Sequence, residues 1–146
     1  MSLKLYRGGR TVVAWSIIVV EPALSWLHGL RRTDRKTLAL VSQAIEALSV
    51  DGPALGRPLV DTIKGSALPN LKELRPGSAG SGEVRLLFVF DPHRQAVILV
   101  GGDKAGNWRG WYRTAVPRAE TVYADHLARM AEQEEGQGNE RPRDRP

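Results

Sequence analysis

Residues 83–101 read EVRLLFVFDPHRQAVILVG, which is two apolar runs joined by a polar tetrapeptide. The runs Glu83–Asp91 and Gln95–Gly101 have the length and composition of strands, and the tetrapeptide Asp91-Pro92-His93-Arg94 is typical of a hairpin turn. In the first run every second residue is apolar, namely Val84, Leu86, Phe88 and Phe90. Side chains alternate between the two faces of a strand. One face is therefore expected to pack on a core, and the other to be semi-open and to carry Arg85.

Two further strands are predicted closer to the N-terminus. Leu71–Arg75 is a strand candidate, and the stretch PGSAGSG over residues 76–82 is a flexible connection to the hairpin. Three strands are therefore expected to form an antiparallel meander. The segment Val12–Val20 is β-branched and aromatic, and it is apolar on both faces. That pattern is typical of a central strand that is covered on both sides.

Three helices complete the predicted elements. The first opens at Glu21-Pro22, and its apolar residues fall on one helical face. The second runs from about Asp34 to Val50, and the short link between the two predicts an antiparallel helix hairpin. Pro117 is expected to start the last helix. The predicted fold class is α+β, with an N-terminal strand, a helix hairpin, an antiparallel three-strand meander and a C-terminal helix.

The chain has 146 residues, of which 42% are hydrophobic, and this is enough apolar material for one core in one domain. We expect the domain to span residues 1–131. Its first ten residues are expected to be a loose leader, because Gly8-Gly9 interrupts any regular element. Residues 132–146 are polar and lack an apolar period, which predicts a disordered polar tail.

The chain is basic, with 21 Lys and Arg against 16 Asp and Glu, a formal charge of +5 and a pI near 10. Acidic residues outnumber basic ones in residues 132–146, so the excess positive charge lies in the preceding domain. A small basic domain is typical of proteins that bind a polyanion. A generic basic surface would have the same composition.

Several function classes are excluded or disfavoured by what the sequence lacks. There is no cysteine, which excludes a disulfide scaffold and a thiol nucleophile. P-loop, dinucleotide-binding and HExxH motifs are absent and the three histidines are far apart, so we expect neither a metal nor a cofactor. No apolar run approaches the roughly 18 residues of a membrane span, and no signal-peptide pattern is present. We therefore expect a cytoplasmic protein with no membrane partner.

The remaining candidate for a functional site is a set of cations and aromatic residues. The cations come from three neighbouring strand candidates, and the aromatic residues follow directly: Lys72, Arg75, Arg85, Lys104, Trp108, Trp111 and Tyr112. Cations match phosphate geometry, and aromatic rings stack on unpaired bases. The pattern indicates either a single-stranded RNA site or a solvated sheet face beside a Trp-rich corner of the core.

Residues 70–108, NLKELRPGSAGSGEVRLLFVFDPHRQAVILVGGDKAGNW, resemble the RelE/HigB superfamily of bacterial toxins, and most of all its phage-derived, HigB-like branch. That branch has a strand with the LKELR pattern, a Gly-bearing turn, and a strand with Arg before an aliphatic-aromatic run. A short aliphatic strand that ends in Gly and a Lys follows. Residues 111–127, WYRTAVPRAETVYADHL, are similar to the helix that comes next in this branch. The resemblance covers roughly residues 12–130 and implies a RelE-like domain.

The resemblance implies the toxin of a type II toxin–antitoxin system. Such toxins are typically ribosome-dependent endoribonucleases, or mRNA interferases, which cut messenger RNA without a metal ion. In these systems a helix-turn-helix antitoxin protein neutralises the toxin. The implied partners are thus an antitoxin and mRNA on the ribosome, with no small-molecule cofactor.

The resemblance also implies roles for individual residues. Arg75 and Arg85 match strand arginines that would hold the phosphate, and Lys104 matches a further cation. Lys72 and Glu73 are both candidates for the general base, and Tyr112 is a candidate for a stacking or acid role. Glu73 could equally be a structural partner of Arg75. An RNA-binding surface is expected at Trp108, Arg109 and Arg113.

Two other functions are compatible with the same fold. A ParE-like toxin would poison DNA gyrase and cleave nothing. A phage accessory protein would bind a partner without being toxic. Because one fold hosts many functions, the fold alone does not decide among them. The cations on the sheet favour the nuclease.

Overall fold

The computed structural model describes residues 4–7, 10–77 and 83–139, with side chains described over residues 14–77 and 83–136. Strands β1 (Lys4–Arg7) and β2 (Arg10–Val13) form an antiparallel pair of their own. The sequence predicted a loose leader over residues 1–10, and for Lys4–Arg7 and Arg10 this was wrong. Aromatic and β-branched residues favour strand in these two segments, and Tyr6 lies opposite Thr11.

A mixed sheet of five strands forms the centre of the fold, in the order β3-β7-β6-β5-β4. The strands are β3 (Ser16–Val19), β4 (Val60–Thr62), β5 (Lys72–Leu74), β6 (Val84–Phe90) and β7 (Gln95–Asp103). Strands β5, β6 and β7 are antiparallel neighbours, so the predicted meander is confirmed. Short strand β4, which was not predicted, adds to its outer side.

The N-terminal strand of the sheet lies at an edge rather than at the centre. Within the described residues β3 has one partner, the parallel strand β7, and Ser16 lies opposite Gln95. The prediction of one central strand over Val12–Val20 was therefore wrong. The apolar character of this strand reflects helices on both faces, since Ile17 packs against one core and Val20 against the other.

Helices α1 (Ala23–Thr33) and α2 (Arg35–Asp51) form the predicted hairpin, and α3 (Trp108–Asn139) is the last element. Asp34 separates the first two helices. Its carboxylate accepts hydrogen bonds from the Thr37 backbone N–H (3.1 Å) and hydroxyl (2.6 Å), which caps α2.

The sheet separates two cores. On one face α1 and α2 pack on the apolar side of β6, and Phe88 and Leu86 there are fully buried. On the other face α3 packs on Leu87, Val89 and Leu99. The second face of β6, which was expected to be semi-open, is thus covered along most of its length. Only Arg85 on that face remains half-buried.

Two adjacent glycines in β7 let a tryptophan approach each face of the sheet. A Cβ at Gly101 would collide with the Trp26 ring of α1, and a Cβ at Gly102 would collide with the Trp111 ring of α3. In each helix an indole ring therefore packs directly on the backbone of a glycine in β7. This contact fixes the start of α3 directly above the ends of β6 and β7.

Helix α3 is longer than predicted at both ends. It begins at Trp108 and contains Pro117, which the sequence analysis had taken as its start. An interior proline costs roughly 3 kcal/mol, and the turn before Pro117 is held to the sheet by the contact of Trp111 with Gly102 and the hydrogen bond of Tyr112 to Glu73. At the other end, residues 132–139 are helical and not disordered, and the Glu and Gln residues over 132–135 are good helix formers. The rest of the predicted tail, residues 140–146, lies outside the described residues.

A buried pair, Asp91 and His126, connects α3 to the turn between β6 and β7. The Asp91 side chain is fully buried and lies 2.9 Å from Nε2 of His126 on α3. It also accepts hydrogen bonds from the backbone N–H groups of His93 (2.9 Å) and Gln95 (3.1 Å) and from the Gln95 amide (2.9 Å). One carboxylate thereby joins a turn, a strand and a helix.

Removal of residues 133–146 should leave the domain folded and almost as stable. Among the described side chains, the ion pair that this removes joins His93 and Glu134, which are 48% and 62% exposed. Exposed ion pairs contribute about 0–1 kcal/mol. A chain truncated after Glu132 should melt within a few degrees of the full-length protein. A loss of more than about 10 °C would mean that the end of the helix packs on the domain.

Candidate functional site

Most of the predicted site residues lie beneath the start of α3, where the C-terminal ends of β5 and β7 flank the N-terminal end of β6. The group comprises Glu73, Arg75, Arg85, Lys104 and Tyr112, and we call it the sheet-end cluster. Leu74 of β5 lies opposite Leu86 of the antiparallel strand β6, so Arg75, which follows Leu74, and Arg85, which precedes Leu86, are neighbours across the sheet.

The centre of the sheet-end cluster is a buried carboxylate. Glu73 is 2% exposed. Its Oε1 atom accepts from Nε of Arg75 at 2.8 Å and lies 2.7 Å from Nη2 of the same guanidinium. Its Oε2 atom accepts from the Tyr112 hydroxyl at 2.5 Å. Charge-assisted hydrogen bonds of this kind are the strong ones, so Glu73 fixes the positions of both partners.

The charge of Arg75 is largely compensated within the protein. Besides Glu73, its Nη2 atom donates to Asp61 of β4 at 3.2 Å. Burial lowers the pKa of Arg75, but its hydrogen bond and attraction to Glu73, together with Asp61, outweigh that and hold the pKa above its usual value. Sequence reasoning missed Asp61, because three residues of β4 carry too little pattern to be recognised as a strand.

Arg85 differs from Arg75 because it has no acidic partner among the side chains that the structure describes. Its Nη1 atom donates to the Val84 carbonyl at 2.8 Å. Its Nε atom is buried and has no hydrogen-bond partner within the described part of the chain. A buried donor without an acceptor is unfavourable. No described carboxylate compensates the charge of this half-buried guanidinium, so that charge remains to attract an anion.

Tyr112 keeps its proton at neutral pH. Burial first, and then the hydrogen bond and charge of Glu73, raise the pKa of its phenol to about 12. The positive charge of Arg85 acts in the opposite direction but is the weaker influence. Arg85 and Glu73 thus both act on the phenol, and Tyr112 connects the two.

Lys104 extends the positive charge toward α3. Its ammonium lies 3.5 Å from Glu83, 5.5 Å from the Tyr112 ring centroid and 5.9 Å from that of Trp108. Its side chain is 16% exposed. Through this cation the sheet-end cluster adjoins Trp108, the first residue of α3.

A shallow groove of about 420 Å³ runs alongside the start of α3. We call it the Trp108 groove; it is lined by Lys64, Gly65, Trp108, Arg109, Tyr112, Arg113, Val116 and Pro117. The guanidinium of Arg109 lies 5.2 Å from the Trp108 ring centroid. The three residues predicted to bind RNA, Trp108, Arg109 and Arg113, are thus together in one groove. Lys64 was missed, because a single lysine in a loop has no sequence signal.

Residues 28–124 match the family model described as "Phage derived protein Gp49-like (DUF891)". This match covers most of the chain, including the whole sheet-end cluster. The chain belongs to the Gp49-like family.

Two curated relatives of this Gp49-like protein come from Mycobacterium tuberculosis. The one named "Putative toxin HigB2" is 52% identical over 118 residues, which is 81% of this chain and 57% of the relative's length. The one named "Putative toxin HigB3" is 46% identical over 113 residues, which is 77% of this chain and 94% of the relative's length. The resemblance to the HigB-like branch is confirmed. No solved structure matches the chain significantly.

One predicted site residue of the Gp49-like protein lies apart from the others. Lys72 precedes Glu73 in β5 and lies opposite Phe88, on the face that α1 and α2 cover. Successive strand residues point to opposite faces. The expectation that Lys72 joins Arg75 and Arg85 at one site was therefore wrong, and Glu73 is the base candidate that faces the sheet-end cluster.

The described part of the Gp49-like protein contains no group of three His, Asp or Glu side chains placed to hold a metal ion. No helix in that part is long and apolar enough to cross a membrane. The sheet-end cluster itself supplies three cations, one carboxylate and one phenol.

Proposed function

We propose that this protein is the toxin of a type II toxin–antitoxin system and that it is a metal-independent endoribonuclease. Its substrate is messenger RNA on the ribosome, in the cytoplasm. The family and the names of the two relatives support the toxin. The observation that supports the nuclease is Arg85, a guanidinium without a carboxylate partner among the described side chains, beside the Tyr112–Glu73 hydrogen bond.

The proposed reaction is attack by a ribose 2′-oxygen on the adjacent phosphorus. A bond forms between these two atoms, and the bond from phosphorus to the 5′-oxygen of the next nucleotide breaks. The proton of the 2′-hydroxyl passes to a base, and another proton reaches the leaving 5′-oxygen. The products are a 2′,3′-cyclic phosphate and a 5′-hydroxyl end.

The two arginines have different roles in this proposal. Arg85 has no acidic partner among the described side chains, so in the proposal its charge binds the phosphate and stabilises the charge that develops on its oxygens. Arg75 is compensated by Glu73 and Asp61, so it is a positioning residue that holds the Glu73 carboxylate in place. Lys104 adds a second positive charge at the edge of the cluster.

The buried position of Glu73 implies an indirect proton path. Glu73 is 2% exposed, so its carboxylate cannot contact the substrate. Tyr112 lines the Trp108 groove, and its hydroxyl donates to the Glu73 carboxylate at 2.5 Å. In the proposal the Tyr112 oxygen takes the proton of the 2′-hydroxyl while the Tyr112 proton passes to Glu73. Lys104 supplies the proton for the leaving 5′-oxygen.

Induced expression followed by mapping of RNA 5′ ends tests this function. Growth arrest with cuts in register with the reading frame, confined to translated messages, is expected. Intact RNA together with trapped or broken DNA would instead indicate a gyrase poison. Normal growth with intact RNA would indicate a non-toxic accessory protein.

We predict that a helix-turn-helix antitoxin encoded beside this gene binds and stabilises the protein. A ligand present at 100 times its Kd raises the free energy of unfolding by about 2.7 kcal/mol, because it binds only the folded state. The melting temperature should therefore rise by roughly 8 °C in the complex. Co-expression should restore growth and yield a co-purified complex. If no neighbouring gene product co-purifies, the toxin proposal is wrong.

A further inference from the structure

We propose that the Trp108 groove binds one unpaired RNA base beside the phosphate held by Arg85. This inference rests on the proposed function and adds to it a base-recognition site. The first observation is the exposure of Trp108, whose surface is 53% accessible. Among the described side chains, Leu127 is the other large hydrophobic residue that is exposed, and it lies further along α3. An indole ring left open beside a site is a stacking platform for a base.

The positive charge of the groove favours a polyanion such as a nucleic acid over a neutral or basic partner. Lys64, Arg109 and Arg113 line it, and no acidic residue does. Arg109 and Lys104 lie 5.2 and 5.9 Å from the Trp108 ring centroid. An aromatic ring with cations at its margin can receive a base on the ring and the flanking phosphates on the cations.

The groove is continuous with the sheet-end cluster through Tyr112. This residue lines the groove and also donates its hydroxyl hydrogen to Glu73. A nucleotide in the groove would therefore be a neighbour of the phosphate at Arg85. At about 420 Å³ the groove falls within the usual range of small-ligand sites, roughly 300–1,000 Å³, and is large enough for one nucleotide.

The loop that forms the wall of the groove is fixed before any ligand binds. Glu120 of α3 accepts hydrogen bonds from the Ser66 hydroxyl and from the Ala67 backbone N–H, both at 2.7 Å. These contacts hold the segment that carries Lys64 and Gly65 against the helix. A preformed wall reduces the ordering cost of binding.

The test measures binding separately from cleavage. The probe is a fluorescent hexamer of 2′-O-methyl RNA, which lacks the free 2′-hydroxyl and cannot be cut. Its control is a hexamer of abasic sugar–phosphate units with the same number of phosphates. Fluorescence anisotropy gives the Kd of each with the full-length protein, with the Trp108→Ala, Trp108→Phe and Arg85→Ala variants, and with Leu127→Ala as the surface control.

The wild-type protein should bind the base-bearing probe more tightly than the abasic probe. Trp108→Ala should weaken binding of the base-bearing probe by roughly 5- to 150-fold, the range for loss of one stacked base, and leave the abasic probe unchanged. Trp108→Phe keeps an aromatic ring, so it should keep part of the preference for the base-bearing probe. This variant distinguishes loss of the ring from misfolding. Arg85→Ala should weaken both probes equally, and Leu127→Ala should change neither.

The inference is overturned if the wild-type protein binds both probes alike or binds neither, or if Trp108→Ala leaves base preference intact. It is also overturned if Trp108→Ala abolishes antitoxin binding but not RNA binding, because the groove would then be a protein-docking surface. Base preference that depends on Trp108, in a protein that cuts no RNA in cells, would refute the nuclease proposal and leave the base site standing.

Discussion

Replacement of Arg85 by alanine should abolish growth arrest and RNA cutting while the protein melts almost as before. Loss of one cation that stabilises a transition state typically costs about 2.7–4 kcal/mol of barrier, which is about 100- to 1,000-fold in rate. The stability cost is small, because within the described part of the chain the guanidinium donates to the Val84 carbonyl, interacts with the Tyr112 hydroxyl and has a buried Nε atom without a partner. One such bond contributes about 0.5–1.5 kcal/mol. Counting mapped RNA 5′ ends after induction, with melting of the purified variant, checks both parts.

Two variants serve as matched controls for Arg85→Ala. Arg32 is an exposed arginine in the last turn of α1, so Arg32→Ala removes the same charge away from the cluster and should keep full toxicity. Arg75→Ala should lose both toxicity and stability, because it leaves the buried Glu73 carboxylate without its cation. Full toxicity of Arg85→Ala, or its unfolding, would show that the proposed site is wrong.

The largest expected loss of stability comes from Asp91→Ala. This change leaves His126, the Gln95 amide and two backbone N–H groups without their acceptor inside the fold. Breaking a buried pair in this way costs about 3–5 kcal/mol, or roughly 10 °C or more in melting temperature. Glu134→Ala, which removes the exposed partner of His93, is the control and should change the melting temperature by less than about 2 °C.

The contribution of Asp91 should also depend on pH. Burial raises the pKa of this carboxyl, but the hydrogen bonds from His126, Gln95 and His93 outweigh burial and hold the pKa below its usual value. A carboxyl with a depressed folded-state pKa stabilises fully above its unfolded pKa of about 3.9 and loses that stabilisation as the pH falls through the lower folded value. The stability difference between wild type and Asp91→Ala should therefore narrow below about pH 4. Equal melting temperatures at pH 7 would contradict the role of Asp91.

The elements with a strong local pattern were predictable from the sequence. The alternation in residues 84–90 and the turn at residues 91–94 gave the hairpin, and the apolar faces of α1 and α2 gave the helix pair. The position of β3 at the sheet edge was not predictable, because its partner β7 lies about 80 residues away. An apolar strand covered by helices on both faces has the same composition at an edge as at the centre.

The candidate site could be predicted in composition but not in geometry. Alternation showed that Lys72 and Glu73 face opposite ways, but only the position of α3 decides which of them meets Arg85. The start of α3 was predicted at Pro117 instead of Trp108, because proline is frequent in the first turn of a helix. The compensation of Arg75 by Asp61 depends on β4, which was not recognised. The different roles proposed for Arg75 and Arg85 could therefore not be inferred from the sequence.

The chemical nature of the RNA ends tests most directly whether the sheet-end cluster supports attack by the 2′-hydroxyl. RNA from induced cells is ligated to an adaptor that requires a 5′-phosphate, with and without prior kinase treatment, and the Arg85→Ala variant is measured in parallel. The proposal predicts new 5′-hydroxyl ends that appear only after kinase treatment, matched by 2′,3′-cyclic phosphates, and their absence in Arg85→Ala. New 5′-phosphate ends, or no new ends in cells whose growth has stopped, would contradict it.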